Sequence, residues 1–375
     1  MNTIPKLTDV YKTHPLDIPT NKNLDSFEKL PDTYDWIQPD SFPSSLTDPN
    51  VSLSDSVPLI DLSDLPNAPH LIGNALKTWG VFQVINHGVP ISLLNSMESF
   101  TNALFDLPSP HKLKAARTPD GVAGYGLPRI STFFPKRMWS EGFTIVGSPL
   151  EHFQKLWPDE YSKYCDLTEE YSREMGSLCG RLIWLALGEL GITQEDVNWA
   201  GSNGDFKTST NAVIQLNSYP ICPDPDRAMG LGAHTDSSLL TILYQNNSRG
   251  LQVLREGNRW VMVEPVNGAL VVQVGDLLHI LTNGLYLSSV HQAVVNQTQK
   301  RISIAYFFGP SEGVEISPIN KLVTPTRPLL YPTITWTEYL RKKAKLFNNT
   351  LSSIRLCAPP SGVLDINDHS EVKVG

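Results

Sequence analysis

The sequence has few of the features that mark several common classes of protein. Its four cysteines are irregularly spaced in 375 residues, without a C-x-x-C pair. We therefore expect neither a disulfide framework nor a thiolate zinc site. No window of about twenty apolar residues offers a membrane span, and the first residues resemble neither a secretory leader nor a transit peptide. These absences predict a reduced, cytoplasmic setting.

Positive charge is also in deficit. The chain has 30 lysines and arginines against 38 aspartates and glutamates, a formal net charge of −8. This balance argues against a nucleic acid or an anionic membrane as the main partner. No Gly-rich phosphate loop and no repeat of fixed period is present. The expected partner is therefore a small molecule.

The residue composition and the spacing of apolar residues change along the chain. The predicted regions are an irregular lead-in (1–55), an α/β region (56–165), scaffold helices (166–205), a β-rich core (206–312) and a C-terminal helix with a loop-rich tail (313–375). Within the α/β region, the apolar spacing predicts strands at 57–62 and 80–88. It also predicts helices over 66–79 and after Pro90.

The clearest predicted helix covers 166–192. Asp166 is expected to be its N-cap, with Glu169 completing an aspartate form of the capping box. Gly191 suits the left-handed position after its end. Its many apolar residues indicate a buried scaffold helix.

From about Asn211 onward, runs of four to nine β-favouring residues alternate with turn residues. The predicted strands are NAVIQLNSY, SLLTILYQ, LQVL, RWVMVEP, ALVVQVG, LLHIL, SVHQAVVN and RISIAYFF. This spacing predicts an antiparallel sandwich or barrel, and a helical pattern returns around 336–347. The predicted fold class is therefore mainly β, with flanking helices and an α/β N-terminal region.

One β-segment, GAHTDSSLLTIL, carries His234 and Asp236. Residues i and i+2 of a strand share a face, so this imidazole and carboxylate would stand side by side as half of a metal site. Two later histidines, His279 and His291, could supply a third ligand. We favour His291, because its strand precedes the one that holds Arg301, and we expect His279 to be structural within a strand.

Arg301 and Ser303 are again at i and i+2, inside an apolar strand. A guanidinium and a hydroxyl on one face form a good receptor for a carboxylate, and a buried arginine needs an anionic partner. Two histidines and one carboxylate suit Fe(II) with open positions for a chelating co-substrate and O₂. Zinc is the alternative, but the arginine favours iron with a 2-oxo acid.

These residues resemble the H-x-D…H…R-x-S pattern of the Fe(II)/2-oxoglutarate-dependent dioxygenases. NSYP at 217–220 resembles that family's N-x-Y-P element, and GVFQVINHGVP resembles the N-terminal region of its plant soluble branch. The resemblance implies a double-stranded β-helix (jelly-roll) core that uses Fe²⁺, 2-oxoglutarate and O₂, with ascorbate as reductant, in a monomeric enzyme. It implies the following roles: His234, Asp236 and His291 as metal ligands and, with Arg301, as catalytic residues; Tyr219, Arg301 and Ser303 as 2-oxoglutarate ligands.

A narrower resemblance, to gibberellin 3β-hydroxylases, is carried by residues 124–149 and 222–253. It implies hydroxylation of carbon 3 of a tetracyclic diterpenoid acid. The loop-like segment 124–149 would then provide an apolar wall and one cation. The candidates are Phe133, Phe134, Met138, Trp139 and Phe143 for the wall, and Arg129, Lys136 or Arg137 for the cation.

The chain departs from this narrower pattern at Gln292, where the family usually has arginine. The alternatives that remain are a gibberellin 20-oxidase or flavonoid oxygenase, a zinc hydrolase with the same ligands, and a non-catalytic jelly roll that binds a small molecule.

Overall fold

The computed structural model describes residues 24–36, 56–118, 121–200, 206 and 210–357. Its helices are α1 (Ala68–Thr78), α2 (Ile91–Asp106), α3 (Ser109–Lys112), α4 (Leu150–Leu156), α5 (Tyr161–Glu189), α6 (Asp276–Leu281), α7 (Trp336–Leu346) and α8 (Thr350–Ile354). Within these described ranges, no helix has the length and apolar character needed to cross a membrane. Most of the predicted lead-in, and the tail beyond residue 357, lie outside the described residues.

The strands form two large antiparallel-rich sheets and one short pair. They are β1 (Leu59–Asp61), β2 (Val81–Ile85), β3 (Gly124–Gly126), β4 (Glu141–Val146), β5 (Thr210–Tyr219), β6 (Met229–His234), β7 (Leu240–Gln245), β8 (Leu251–Arg255), β9 (Arg259–Met262), β10 (Leu270–Val274), β11 (His291–Val294), β12 (Arg301–Pro310), β13 (Glu315–Ile316) and β14 (Ile334–Thr335). The eight-stranded sheet has the order β1-β2-β10-β7-β12-β5-β4-β3, and the four-stranded sheet has the order β6-β11-β8-β9.

The two sheets face each other, as the predicted jelly-roll core requires. An apolar cluster between them joins Val253 and Val261 of the smaller sheet to Leu243, Val271 and others of the larger sheet. The outer face of the larger sheet packs against α1, α2 and α5 in the main core. Strands buried on both faces explain why the β-runs of this sequence are almost continuously apolar.

Strand β12 displays this arrangement most clearly. Ile302 and Ile304 belong to the core under the helices, whereas Ser303 and Ala305 line a cavity between the sheets. The side chains alternate because the period of a strand is two residues. The same alternation in β5 and β7 brings polar side chains into the cavity from neighbouring strands.

The N-terminal elements were predicted correctly apart from their ends. Strand β1 pairs with β2 in parallel, and β2 pairs with β10, so the α/β region continues the larger sheet. Asn86 and Gly88 adopt positive φ angles of 53° and 85° in the turn after β2. The division of the whole chain into five regions is not tested by these contacts and stays a prediction.

Helix α5 begins earlier than the sequence suggested. It starts at Tyr161 after Glu160, without a side-chain cap, so the predicted N-cap Asp166 lies inside the helix. Tyr161, Tyr164 and Cys165 pack against the main core, and this tertiary packing extends the helix before Asp166. Gly191 follows its end with φ 71°, as predicted.

The run LLHIL is a helix, and its prediction as a strand was wrong. It forms α6, whose residues are buried throughout, after Gly275 at the N-cap position. A short apolar run without polar alternation fits a buried helix as well as a buried strand. His279 is therefore held inside a helix, where it contacts the Tyr286 carbonyl and the Tyr331 hydroxyl.

The segment 124–149 is less loop-like than predicted. It contains β3, a short 3₁₀ turn at Arg129–Phe133 and strand β4, which pairs with β5 in the larger sheet. Phe143 is consequently part of the main core. Trp139 is fully buried and packs near Phe27 and Tyr34 of the lead-in.

Helix α7 is fixed to the sandwich by a buried ion pair. The Lys343 ammonium contacts the Asp276 carboxylate and donates to the Thr235 carbonyl at 2.7 Å. Asp276 has no exposed surface, and it also accepts hydrogen bonds from Tyr339 at 2.7 Å and Ser288 at 2.6 Å. The carboxylate thus ties α6, α7 and the segment after β6 together.

We expect Lys343→Met to lower the free energy of unfolding by about 3 kcal/mol, because it leaves the buried Asp276 without its counter-ion. Urea unfolding followed by circular dichroism measures the change. Lys345→Met, at an exposed site on the same helix, is the matched control and should change stability by less than about 0.5 kcal/mol. Equal effects of the two substitutions would contradict this role for the ion pair.

Candidate metal centre and adjoining cavity

Three side chains converge at the open end of the smaller sheet. One ligand atom from each of His234, Asp236 and His291 lies within 4.8 Å of the others, and all three residues are buried. The Oδ1 atom of Asp236 is 3.7 Å from Nε2 of both histidines. The histidines are direct partners across β6 and β11, so strand pairing itself sets their separation.

Asp236 does not lie in a strand, which corrects the prediction that it would share a strand face with His234. Strand β6 ends at His234, and residues 235–237 are irregular. The peptide N–H of Asp276 donates to the Asp236 carbonyl at 2.7 Å, and the Lys343 ammonium donates to both the carbonyl and the hydroxyl of Thr235. Anchoring of the backbone, rather than strand pleat, therefore directs the carboxylate toward the histidines.

Backbone carbonyls orient both imidazoles. Nδ1 of His234 lies 2.8 Å from the Gly232 carbonyl, and Nδ1 of His291 lies 3.2 Å from the Ser289 carbonyl. A carbonyl only accepts, so each ring carries its proton on Nδ1. The lone pair of Nε2 then faces the common centre, which is the tautomer that metal ligation requires.

The electrostatics of the three groups favour a bound cation. Burial, together with the neighbouring His291, lowers the pKa of His234 to about 3, against the opposing effect of Asp236. Burial would raise the pKa of Asp236, but the two histidines and the hydroxyl of Thr241 lower it below its ordinary value. A neutral imidazole and an ionised carboxylate are the protonation states that a divalent metal needs.

The donor set fits Fe(II). Two imidazole nitrogens and one carboxylate oxygen on one side of a metal form the facial triad of non-haem iron oxygenases, which leaves positions for other ligands. Open space adjoins the triad, because all three residues line a cavity of about 280 Å³. That volume is far above the roughly 10–15 Å³ that a single water molecule needs.

Arg301 lies in the wall of the same cavity with only 1% of its surface exposed. Its Nη2 donates to Oε1 of Gln245 at 2.9 Å, while Nε and Nη1 have no hydrogen-bond partner among the described residues. Burial lowers the pKa of this guanidinium, and Tyr219 opposes the shift. A desolvated arginine with free donors is a receptor for an anion that enters the cavity.

The predicted neighbours of Arg301 surround it. Tyr219 is its partner across β5 and β12, with the guanidinium carbon 4.9 Å from the ring centroid. Ser303 pairs with Asn217 in the same ladder, and the Asn217 amide donates to the Ser303 hydroxyl at 3.3 Å. All four side chains line the cavity. The structure thus brings together in one cavity all the residues predicted as metal ligands or as 2-oxoglutarate ligands.

The remaining wall of the cavity is largely apolar. Phe133 stacks on Phe347, with ring centroids 4.4 Å apart, and both line the cavity with Trp336. Of the predicted wall residues, Met138, Trp139 and Phe143 are buried outside it. Of the three predicted cations, Arg129 lines the cavity, whereas Lys136 is directed to the Asp32 carbonyl.

Several site residues were missed by the sequence reasoning. Gln245 is a buried glutamine at the end of β7, and Gln273 is a buried glutamine inside the apolar strand β10. A glutamine within an apolar run is the signal that could have identified Gln273. Lys343 could not be found this way, because it comes from the distant helix α7. Gln292, the position that departs from the expected arginine, donates to Oε1 of Gln252 at 2.8 Å across β8 and β11.

Comparison with known families points in the same direction. The model of the 2OG-Fe(II) oxygenase superfamily matches residues 210–310. A second model, described as the N-terminal region of non-haem dioxygenases in morphine synthesis, matches residues 57–160. Together the two matches cover both large sheets and the flanking helices α1 and α2, whereas α5 lies between the matched ranges.

Relatives of similar length extend the likeness to the whole chain. Gibberellin 3-beta-dioxygenase 1 of Pisum sativum is 53% identical over 99% of this chain and 100% of its own length. Gibberellin 3-beta-dioxygenase 2 of Arabidopsis thaliana is 54% identical over 93% and 99%. A solved structure, JOX2 in complex with 2OG, Fe and JA, is 28% identical and matches with a TM-score of 0.73 over 88% of this chain and 95% of that one.

We expect Asp236→Ala to weaken Fe(II) or Co(II) binding by at least about 100-fold, because it removes the only anionic ligand of the triad. Titration of the metal-free protein with Co(II), followed by its visible absorption, measures the affinity. Asp226→Ala, at an exposed site before β6, is the control and should bind like the wild type. Wild-type affinity in Asp236→Ala would place the metal elsewhere.

Proposed function

The chain belongs to the 2OG-Fe(II) oxygenase superfamily and, within it, to the gibberellin 3-beta-dioxygenases, and from this premise we propose that it hydroxylates carbon 3 of a gibberellin precursor on the β face. The product is the bioactive hormone, and 2-oxoglutarate is converted to succinate and CO₂. One observation carries the proposal: the His234–Asp236–His291 cluster shares its cavity with a buried arginine that has free donors.

We propose that His234, Asp236 and His291 hold Fe(II). When bound with 2-oxoglutarate and O₂, iron supplies the oxidising power that places one oxygen atom in an unactivated C–H bond. The protein's part is to present two neutral imidazoles and one carboxylate on one side only. The sandwich also keeps bulk water away from the reacting carbon, since all three ligands are buried.

The Arg301 side chain is proposed to bind the far carboxylate of 2-oxoglutarate. Its Nε and Nη1 donors are available, and the Ser303 hydroxyl lies one step along the same strand face. Tyr219 packs beside the guanidinium and limits its movement. The Oε1 atom of Gln245 accepts a hydrogen bond from Nη2 and so fixes the third nitrogen of the guanidinium. The co-substrate's other end would then reach the metal position.

The gibberellin itself would lie against the apolar wall. A rigid hydrocarbon skeleton suits the stacked Phe133 and Phe347 rings and the nearby Trp336. Its carboxylate needs a cation, and Arg129 and Arg117 both line the cavity. We propose Arg129 for this contact, because Arg129 and the wall residue Phe133 are the first and last residues of the same short 3₁₀ helix.

We propose a cytoplasmic location for the protein. All four cysteines are free, which supports a reduced cytoplasmic location. Ascorbate is proposed as the reductant that keeps the iron ferrous, and we propose that the enzyme works as a monomer.

The purified protein, reconstituted with Fe(II) under anaerobic conditions, is expected to convert a labelled 3-deoxy gibberellin to its 3β-hydroxylated product once O₂ and 2-oxoglutarate are added. Mass spectrometry of the products, with succinate measured in parallel, should give one succinate per hydroxylation. A panel of gibberellin 20-oxidase and flavonoid oxygenase substrates is the control. Oxidation at another carbon, or turnover without O₂, would contradict the proposed activity.

Arg301→Met is expected to raise the KM for 2-oxoglutarate by about 100-fold, since a charge-assisted contact to a buried carboxylate is lost. Steady-state kinetics with varied 2-oxoglutarate measure this, and the KM for the gibberellin should change much less. Arg249→Met, which removes an exposed arginine paired with Glu264, is the matched control. A KM for 2-oxoglutarate within threefold of the wild type would show that the co-substrate binds elsewhere.

A further inference from the structure

We propose that Gln273 is a positioning residue of the metal centre, which holds Asp236 to coordination through a single oxygen. The inference rests on the proposed iron site and adds to it a residue outside the triad. Gln273 lies on β10, in the larger sheet, whereas the histidines lie on the smaller sheet. Its side chain therefore reaches the centre from the opposite side of the sandwich.

The two oxygens of Asp236 have different surroundings. Oδ1 faces Nε2 of both histidines at 3.7 Å, which is the direction of the metal. Oδ2 accepts a hydrogen bond of 3.3 Å from the Gln273 amide. A carboxylate whose second oxygen is engaged in this way is free to offer only Oδ1. One carboxylate oxygen and two imidazoles then occupy three positions and leave the others for ligands.

Gln273 is placed to make this contact rather than another. Its Nε2 is also 3.3 Å from Nε2 of His291, but that nitrogen's lone pair is committed once a metal binds. The amide donor is then left to Asp236 alone. The glutamine has only 3% of its surface exposed, and its Oε1 has no partner among the described residues. That oxygen remains available to a water molecule in the cavity.

Because the Gln273 side chain is buried, its hydrogen bond to Asp236 offsets the cost of removing the amide from water. A glutamine at the interior of an apolar strand costs free energy unless its amide is used. Partners behind metal ligands typically change metal affinity by about 10- to 100-fold when they are removed. An apolar residue at position 273 would let the carboxylate rotate and offer both oxygens.

The test uses Mn(II) as the probe, with the wild type and Gln273→Met, which keeps the length of the side chain but removes the amide. Mn(II) affinity is measured by electron paramagnetic resonance, and metal-bound water by proton relaxation. We expect a 10- to 100-fold weaker affinity in Gln273→Met, because the carboxylate loses the partner that orients it. We also expect fewer exchangeable waters, because a second carboxylate oxygen displaces water. Gln83→Met is the control, since Gln83 is a buried glutamine on the adjacent strand β2.

The outcomes separate this inference from the proposed function. Wild-type affinity, or an unchanged number of bound waters, in Gln273→Met would overturn the role of Gln273. A wild-type protein that fails to bind Mn(II) would overturn the metal centre itself. Circular dichroism checks the fold of each variant. Should Gln273→Met unfold, Gln273→Asn takes its place with the same expected result, because the shortened amide no longer reaches Asp236.

Discussion

The arrangement of the metal ligands depends on one buried carboxylate that binds no metal. Asp276 is fully buried and accepts hydrogen bonds from Thr235, Ser288 and Tyr339, and it is paired with Lys343. Its own peptide N–H fixes the carbonyl of Asp236. A carboxylate in this environment is tolerated only when its oxygens are fully engaged. The elements that supply those partners must therefore all be in place before the metal ligands can converge.

The interior of the sandwich contains charges of both signs, and its architecture keeps them apart. The negative charge of Asp236 would be balanced by the metal ion that the three ligands are proposed to hold, whereas Arg301 is partly satisfied by Gln245. The Asp236 carboxylate and the Arg301 guanidinium do not form an ion pair with each other, although both line one cavity. A dicarboxylic co-substrate that chelates the metal and reaches the arginine would satisfy both. The site is therefore more favourable when occupied than when empty, as expected of a centre built for bound ligands.

Much of this site could be predicted from the sequence, because strand periodicity places i and i+2 side chains together. That reasoning paired His234 with Asp236 and Arg301 with Ser303, whereas His291 was chosen because its strand precedes the one that holds Arg301. The expected strand at Asp236 was wrong, although its carboxylate does converge with the histidines. The expected strand at α6 was also wrong, because a short apolar run has no period that separates a helix from a strand. Gln273 and Lys343 depend on contacts between distant segments, and local pattern carries no information about those.

The apolar wall of the cavity shows why substrate specificity is the hardest part to read from the sequence. Phe133 comes from the turn before β4, and Phe347 comes from the end of α7 with a positive φ of 48°. Phe134 packs edge-on against Phe347. Its ring also packs on Trp36 of the lead-in, with ring centroids 5.4 Å apart. Gly232, two residues before the first metal ligand, is required there because a Cβ atom would lie 2.5 Å from the Phe134 ring. Three distant segments thus pack together at the cavity that the triad lines, so changes far from the triad can alter which carbon of a substrate is presented to it.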